Sequence, residues 1–385
     1  MSDAPDPITL AAPDLGAQDA EWLTAALHAP RRAGGAMVER FESEFARRLG
    51  RSHGIAVASG TIGTLLALRT LGIGPGDEVV TSPLAWHQVA QAIVLAGATP
   101  VCADIDYWSG CLDAARAAAR ITPRTRALLA GNTNGHPAAW GPLRDLATTR
   151  GLALIEDSTE AIGSVYRGRP VGSFGDVSVF DFSAPGVIDI GCGAMLVTDD
   201  DRLASELRYG RERQLEDRES VSVGSRVPLQ AGLSEFAAAL GLAQLVGLPD
   251  RLERRRQAVA WYHEAMQSFE GIKPPYVAPE VGEVHWMLYV VHLGKRFGGS
   301  ARRQMIDDLA AGGVESCAYC QPLHQQFAWQ RYGVTRGTLP LAERIGERML
   351  ALPLHTQLDE GEVRFIVASL KDAATNVGAG AAIYL

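Results

Sequence analysis

The chain has 385 residues, 47% of them hydrophobic and 21% charged, a length that favours two domains and a composition typical of a folded globular protein. Its formal net charge of −8 argues against a general nucleic-acid-binding or anionic-membrane surface. With no run of about 18 apolar residues and no basic-plus-apolar stretch at its N-terminus, the sequence predicts a cytoplasmic protein without a membrane partner.

The first half of the chain predicts an α/β sheet. Residues 16–29 and 36–50 carry apolar side chains at helical spacing and predict two helices. Residues 54–86 follow as a strand, the turn Ser59-Gly60-Thr61, a helix and a second strand. The strand–helix alternation continues to the strand that ends at Asp157. Such alternation predicts parallel strands with crossover helices on both faces of the sheet.

The second half predicts a smaller domain. A long helical stretch runs from Ser234 to about Phe269 and is interrupted at Pro249. We place the boundary within it, with residues 1–245 as a large domain that carries an N-terminal helical arm and residues 246–385 as a small C-terminal domain.

The five cysteines are odd in number and scattered, at positions 102, 111, 192, 317 and 320. This pattern predicts free thiols in a reducing compartment. Cys317-x-x-Cys320 and His324 offer three soft ligands within eight positions, but a second pair with metal-ligand spacing is missing. We therefore predict no metal site.

Residues 176–196, DVSVFDFSAPGVIDIGCGAML, read as two buried strands joined at Pro185-Gly186. The stretch closely resembles the cofactor-lysine segment of the DegT/DnrJ/EryC1/StrS family of sugar aminotransferases, which typically reads F-S-F-H-x-T-K-N-x-x-x-G-E-G-G-M-L. The resemblance extends over about residues 8–374. It implies the aspartate-aminotransferase-like fold type I, with a mainly parallel seven-stranded sheet in the large domain and a smaller α+β C-terminal domain. It also implies a homodimer with pockets at the subunit interface.

The resemblance assigns roles to several residues near the predicted strand ends. Ser59-Gly60-Thr61 would hold the phosphate of pyridoxal phosphate, although the same tripeptide is a common turn and helix cap. Trp86 would stack on the pyridine ring, and Asp157 would pair with the pyridine nitrogen. A core tryptophan and a helix cap are the alternative interpretations of these two residues, and we favour the pocket for both. Glu160 stands where the family has a glutamine, and a carboxylate cannot donate a hydrogen bond unless it is protonated.

The resemblance places Gly186 at the position of the lysine that binds the cofactor. Glycine cannot form an aldimine or move a proton. The chain has only three lysines, Lys273, Lys295 and Lys371, so no residue before position 273 can supply the amine. We therefore expect no covalently bound cofactor, with pyridoxamine phosphate or pyridoxal phosphate able to bind only non-covalently.

Other departures from the family pattern point the same way. Asp181 stands where the family has a serine that contacts the phosphate. A carboxylate about 4 Å from a phosphate is repelled by it. Gln230 and Gly232 replace the asparagine and arginine that reach into the neighbouring subunit's pocket, and Met287 replaces a histidine. We count Ser183 with Gly186 and Gln230 in the vestigial cofactor pocket.

Our principal interpretation is an enzyme other than a conventional transaminase, acting in sugar or secondary-metabolite (antibiotic) biosynthesis. The former cofactor cleft would hold the substrate directly, and Asp157, Glu160 and Asp181 would catalyse dehydration, cyclisation or epimerisation. His87, His136 and Cys192 are further candidates for a base. The implied substrate is a nucleotide-linked sugar, a cyclitol or a related metabolite.

Two alternatives stay open. One is a lysine-less enzyme that works with non-covalently bound pyridoxamine phosphate or pyridoxal phosphate. The other is a non-catalytic pseudoenzyme that partners an active aminotransferase. A fold can persist after its original chemistry is lost, so family membership alone does not choose among the three.

Overall fold

A computed structural model describes residues 7–212, 228–267, 269, 271–332 and 335–382. In this part of the chain, no helix combines the length and apolar character needed to cross a membrane. The helices are α1 (Ala17–Leu27), α2 (Ala36–Leu49), α3 (Gly60–Thr70), α4 (His87–Leu95), α5 (Ala114–Ala118), α6 (Trp140–Arg150), α7 (Asp201–Arg211), α8 (Glu235–Val246), α9 (Leu248–Ala265), α10 (Gly299–Ala311), α11 (Pro340–Gly346) and α12 (Glu360–Ala382).

The strands form three sheets. They are β1 (His53–Val57), β2 (Glu78–Thr81), β3 (Thr99–Cys102), β4 (Thr125–Gly131), β5 (Ala153–Asp157), β6 (Val165–Tyr166), β7 (Arg169–Pro170), β8 (Val177–Asp181), β9 (Ala194–Thr198), β10 (Ile272–Lys273), β11 (Val281–Glu283), β12 (Tyr289–Leu293), β13 (Cys317–Ala318) and β14 (Met349–Leu352). The large sheet has the order β1-β9-β8-β5-β4-β2-β3. A four-stranded sheet has the order β10-β12-β14-β13, and a small sheet the order β11-β6-β7.

The large sheet is parallel from β8 to β3, and β9 alone runs against its neighbours β8 and β1. The predicted seven-stranded, mainly parallel sheet is therefore confirmed. Asp157 at the end of β5 lies opposite Val179 of β8, two residues before Asp181. The register thus brings two carboxylates to the same edge of the sheet, where parallel strands present their carboxyl ends.

Helix α2 covers one face of the central strand β8. Its apolar residues Phe41 and Phe45 lie one turn apart and are almost fully buried. The ring of Phe45 packs edge-on against Phe180 at 4.9 Å, and Phe41 lies 5.5 Å from Phe182. Burying each phenylalanine contributes about 1.5–3 kcal/mol, so this contact fixes β8 and the loop that follows it.

The small four-stranded sheet is antiparallel and packs against α9, α10 and α12. Tyr262 of α9 stacks on Tyr289 of β12 with ring centroids 4.0 Å apart. The long helical stretch of the sequence divides into α8 and α9, and the break falls at Gly247 rather than at Pro249. Proline is tolerated in the first turn of a helix, where its missing N–H has no intrahelical partner. Pro249 therefore belongs to the start of α9.

The N-terminal segment runs along the C-terminal part of the chain. Ile8 forms a parallel bridge with Val314, and the backbone N–H of Leu10 donates to Glu315 Oε2 at 2.8 Å. The carbonyl of Leu10 accepts a hydrogen bond from the Leu354 N–H. Residues 10–15 form part of the walls of the cavities described next.

Candidate active site

Two adjoining clefts lie at the carboxyl edge of the large sheet. The central cleft has an empty volume of about 540 Å³, and the residues that carry its chemistry are Gly60, Thr61, Trp86, Asp157, Asp181 and Ser183. The outer cleft shares Trp86 with it and is also lined by His87, Glu160, Met287, Cys317, Tyr319 and Cys320. Ala184 and Pro185 line both clefts.

The carboxylate of Asp181 is bound at the N-terminus of α3. Gly60 N–H donates to Asp181 Oδ2 at 2.6 Å, and Ser183 N–H donates to Oδ1 at 2.8 Å. The Ser183 hydroxyl donates to the same Oδ1. A helix N-terminus favours an anion because its first N–H groups lack intrahelical partners. Asp181 therefore fills this anion site from within the chain.

The start of α3 admits no side chain at position 60. Ser59 caps the helix by accepting a hydrogen bond from Ile62 N–H at 3.4 Å. A Cβ on Gly60 would lie 2.5 Å from Asp181 Oδ2, closer than real Cβ atoms approach a neighbour. The glycine of the Ser-Gly-Thr turn is thus required by the carboxylate that the turn binds.

Asp157 is half-buried and lines the same central cleft as this turn. Its Oδ1 accepts a hydrogen bond from Thr159 N–H at 3.1 Å. Burial raises the pKa of Asp157, and the charge of Asp181 raises it further, while the hydrogen bonds from Thr159 lower it. Thr159 also lines the cleft, a position that sequence reasoning missed because a threonine after a strand carries no specific signal.

Glu160 is an acceptor for three donors. Trp86 Nε1 donates to Oε1 at 2.7 Å, Tyr319 Oη donates to Oε2 at 2.6 Å, and Asn134 N–H also donates to Oε2. Burial raises the pKa of Glu160 to about 7, although the hydrogen bonds from Tyr319 and Asn134 lower it. Glu160 thereby connects the aromatic wall of the central cleft to the C-terminal part of the chain.

Sequence reasoning missed Asn134 and Tyr319. Asn134 has a positive φ of 51°, and its side chain exchanges two hydrogen bonds with the backbone of Leu288, at 3.1 and 3.0 Å. Asparagine adopts this left-handed conformation more readily than most residues, so the run Asn132–Gly135 carried a signal for a turn. Nothing in the sequence around Tyr319 indicated its contact with Glu160.

The predicted bases lie in different environments. His87 is exposed at the start of α4 and lines the outer cleft. His136 is buried outside both clefts: Nδ1 lies 2.8 Å from the Pro137 carbonyl, and Nε2 accepts a hydrogen bond from Ala278 N–H at 3.2 Å. Burial lowers the pKa of His136, and both of its nitrogens are engaged. The exposed Cys192 donates to the Ala58 carbonyl at 2.9 Å.

The remaining predicted pocket residues are not brought into the central cleft. Gly186 is half-buried and lies beyond Pro185, on the wall of a third cavity. Gln230 is exposed and is absent from the described lining of the central cleft. Ser59, Gly60, Thr61, Trp86, Asp157, Asp181 and Ser183 do lie together at this edge of the sheet.

Basic side chains are absent from the described lining of the central cleft, which contains no lysine, arginine or histidine. The three lysines lie elsewhere. Lys273 packs over the ring of Trp108 at 5.5 Å, Lys371 donates to the Ala265 carbonyl at 3.0 Å, and Lys295 is exposed. Asp157 and Asp181 therefore give the cleft a negative character.

The cysteine pair of the outer cleft lies near His324, which has a partner of its own. His324 Nε2 lies 3.1 Å from Glu343 Oε1, and the described residues contain no group of three or more potential metal ligands. Burial raises the pKa of Cys317 and raises that of Cys320 to about 12. Both groups are therefore neutral thiols at physiological pH.

Comparison with known proteins identifies a family. Residues 13–371 match the DegT/DnrJ/EryC1/StrS aminotransferase family. The chain is 34% identical to GDP-perosamine synthase of Caulobacter vibrioides, over 96% of this chain and 99% of that protein. It is 33% identical to dTDP-3-amino-3,4,6-trideoxy-alpha-D-glucose transaminase of Streptomyces venezuelae, over 94% of each.

A solved structure with the same fold is that of DesV from Streptomyces venezuelae, in complex with a ketimine intermediate. The two structures superpose with a TM-score of 0.85 at 31% sequence identity, covering 93% of this chain and 94% of DesV. The predicted fold type I architecture is confirmed by this likeness.

Proposed function

We propose, since this chain belongs to the DegT/DnrJ/EryC1/StrS aminotransferase family, that it acts in sugar or secondary-metabolite biosynthesis without a covalently held cofactor. Its reaction is acid/base chemistry on a carbonyl-bearing sugar, cyclitol or related metabolite: dehydration, cyclisation or epimerisation. One observation carries the proposal. The carboxylate of Asp181 occupies the N-terminus of α3 and faces the same cleft as Asp157.

The fit of the family's cofactor can be judged from these contacts. A phosphate at the N-terminus of α3 would compete with Asp181 for Gly60 N–H. Two unit charges about 4 Å apart repel each other by about 4 kcal/mol at an effective dielectric constant near 20. In addition, the described cleft lining offers no lysine to form a covalent link. The residues present therefore do not fit a covalently held pyridoxal phosphate.

The two carboxylates differ in environment, as an acid/base pair requires. Asp181 accepts hydrogen bonds from three donors, which fix its position and suit an orienting group. Asp157 has one backbone donor at 3.1 Å, and its burial favours the protonated form. We assign proton transfer at the substrate to Asp157 and electrostatic orientation of the substrate to Asp181. Thr61, Thr159 and Ser183 offer hydroxyls to a polyol.

Glu160 acts as a positioning residue in this proposal. It holds the indole of Trp86, which lines both clefts, and thereby sets the shape of the passage between them. An aromatic wall is a common platform for the apolar face of a sugar ring or for a cationic group.

Deuterium exchange tests the proposal. Epimerisation next to a carbonyl, β-elimination of water and aldol-type cyclisation each begin with removal of a proton from the carbon next to the carbonyl, and these are the forms of the three reactions that we propose. The purified chain is incubated in deuterated buffer with a nucleotide-linked keto sugar, without added cofactor, and the sugar is followed by NMR. We expect deuterium at that carbon with the wild-type chain and its loss with Asp157→Asn.

The matched control for this experiment is Asp113→Asn. Asp113 is also half-buried and accepts a backbone hydrogen bond, from Arg116 N–H at 2.8 Å, but it caps α5. This variant is expected to exchange like the wild type. Exchange that requires added pyridoxal phosphate or pyridoxamine phosphate would overturn the proposal in favour of the cofactor-dependent alternative.

That alternative is supported by one set of observations. Ser59, Thr61, Trp86 and Asp157, to which the family resemblance assigns the phosphate, ring and nitrogen contacts, lie together at the central cleft. Absorbance titration with pyridoxamine phosphate separates the two functions, because the cofactor-dependent enzyme would bind it at about micromolar Kd. The homodimer expected from the family stays a prediction, which light scattering on the purified protein would check.

A further inference from the structure

Thr64 is a buried polar residue on the wall of the central cleft. Only 5% of its surface is exposed, and it lies in α3 one turn after Gly60. Its hydroxyl has no hydrogen-bond partner in the described part of the chain. The hydroxyl of Thr81 is also unpartnered but is sealed in the protein interior, whereas that of Thr64 is not sealed. An unpartnered polar group at the wall of a cavity points to a ligand that supplies its partner.

Two other helical threonines show which contact Thr64 lacks. Thr24 donates to the Ala20 carbonyl at 2.8 Å, and Thr375 donates to the Lys371 carbonyl at 2.9 Å. A bond to the carbonyl four residues earlier satisfies a helical hydroxyl within its own helix. Among the residues that the structure describes, Thr64 makes no such bond. Its hydroxyl is therefore available to a molecule in the cleft.

Thr64 lies on the side of α3 that faces Asp181. A Cβ on Gly60 would point at Asp181 Oδ2, at a distance of 2.5 Å. Residues four positions apart lie on the same face of a helix, with Cβ atoms about 5–6 Å apart. The side chain of Thr64 therefore lies one turn further along this face. Thr64 and Asp181 both line the central cleft, so a single small group can lie between them.

The carboxylate of Asp181 has no cationic partner. Its three hydrogen bonds come from neutral groups of Gly60 and Ser183, and within the described residues it forms no ion pair. The described lining of the cleft supplies no basic side chain, and Asp157 adds a second carboxylate. Trp86 lines the same cleft, and an indole ring attracts a cation to its face. The cleft therefore favours a positively charged group over an anion.

We propose that the substrate is an amino sugar or an aminocyclitol whose ammonium group binds between Asp181 and Thr64. An ammonium group has three N–H donors and no acceptor. It donates to the Asp181 carboxylate and to the Thr64 hydroxyl oxygen, and its charge is paired with that of Asp181. Asp157 remains free for proton transfer at the carbon skeleton. Thr64 and Asp181 are thus specificity-determining residues. That the ligand is a substrate rests on the proposed function, but the amine site itself does not.

Calorimetric titration of the full-length chain tests the inference. The ligands are D-glucosamine and 3-amino-3-deoxy-D-glucose, and D-glucose is their neutral analogue. At about pH 6, well below the usual pKa of an amine, both amino sugars are cations. We expect at least one of them to bind about tenfold or more tightly than D-glucose, the effect of a hydrogen bond to a charged group. The inference is overturned if neither amino sugar binds more tightly than D-glucose.

Two variants assign the binding to these residues. Thr64→Val removes the hydroxyl with little change of shape, and Asp181→Asn removes the charge. Each should weaken binding of the tighter amino sugar about tenfold. Because the Thr64 hydroxyl has no partner in the free protein, Thr64→Val should have a Tm no lower than the wild type, and it serves if Asp181→Asn unfolds. Folded Thr64→Val and Asp181→Asn proteins that bind as tightly as the wild type would overturn the inference.

The matched control is Thr70→Val, at the other end of α3 and outside the central cleft. It should bind the amino sugar like the wild type. The deuterium-exchange experiment separates this site from the reaction. A chain that prefers the amino sugar but exchanges no deuterium supports the amine site and overturns only the proposed function. A chain that exchanges deuterium without any preference for the amine overturns the amine site alone.

Discussion

The indole nitrogen of Trp86 donates a hydrogen bond to Glu160 Oε1 at 2.7 Å, and these two residues are 74 positions apart in the chain. This hydrogen bond fixes the orientation of the Trp86 indole, which forms the aromatic wall of the central cleft. The other oxygen of Glu160 is taken by Tyr319 and Asn134. The carboxyl group of Glu160 thus holds Trp86, Tyr319 and the backbone of Asn134 together around the clefts. The four predictions below concern Glu160 and Asp181.

Replacing Glu160 with glutamine should destabilise the protein. An amide has one accepting oxygen, so either orientation places its NH₂ group against a donor. We expect the free energy of unfolding to fall by about 1–3 kcal/mol, the cost of a buried polar group left without a partner. Urea denaturation measures this change. Glu253→Gln, at an exposed ion pair with Arg256, should change stability by less than about 0.5 kcal/mol. Equal effects of the two variants would contradict the role of Glu160.

Glu160 also predicts a pH dependence of stability. Its pKa in the folded protein is about 7, above the 4.5 of an unperturbed glutamate. The folded state therefore binds a proton more tightly than the unfolded state. The resulting stability is fully present below about pH 4.5 and is lost as the pH rises through about 7, a change on the order of 1–3 kcal/mol.

This dependence is measured by comparing unfolding free energies of wild type and Glu160→Gln across that range. The stability advantage of the wild type should shrink as the pH increases, because glutamine does not titrate. A difference that stays constant between about pH 5 and pH 8 would show that Glu160 does not titrate in this window.

Removing the carboxylate of Asp181 should open the N-terminus of α3 to a phosphate. Asp181→Ser leaves Gly60 N–H free and removes the repulsion of a second anion. We expect affinity for pyridoxamine phosphate to rise at least about tenfold, as measured by calorimetry, while affinity for unphosphorylated pyridoxamine is unchanged. Asp106→Ser, at an exposed turn, is the matched substitution and should have no effect. If Asp181→Ser binds pyridoxamine phosphate no more tightly than the wild type, Asp181 does not block phosphate binding at the N-terminus of α3.

A methyl group at position 60 should disturb Asp181 directly. The Cβ of Gly60→Ala would lie 2.5 Å from Asp181 Oδ2, so the carboxylate must move or the helix must shift. We expect a loss of about 1–3 kcal/mol in the free energy of unfolding, typical of overpacking. Gly74→Ala provides the comparison, because the nearest atom to its Cβ is the Ala96 carbonyl oxygen at 3.6 Å. If Gly60→Ala is as stable as Gly74→Ala, the close contact is not a constraint.

Local patterns in the sequence were sufficient for the architecture and for part of the site. Strand–helix alternation predicted the parallel sheet, and Asp157 and the Ser59–Thr61 turn were found because strand ends and helix starts have recognisable residues. Motif matching also selected Trp86 and Glu160. The partners of these residues were not predictable. Tyr319 lies 159 positions from Glu160, and such contacts depend on how the two halves of the chain pack.

The roles of individual residue types were less predictable than their positions. His136 is a candidate base because a group near Gly186 would have to replace the missing lysine, yet both ring nitrogens are used by the backbone of Pro137 and Ala278. Glu160 replaces a family glutamine that would donate a hydrogen bond. In the structure its carboxylate instead accepts hydrogen bonds from Trp86, Tyr319 and Asn134.

The contacts of the N-terminal segment constrain the order in which parts of the protein can fold during synthesis. Ile8 pairs with Val314, and Leu10 is bonded to Glu315 and Leu354. These partners are synthesised more than 300 residues later. During translation the large sheet and its two carboxylates can assemble first, since their contacts are nearer in sequence. The outer cleft obtains its last wall only after residue 326 has been synthesised, and the third cavity only after residue 356, so both form later than the central cleft.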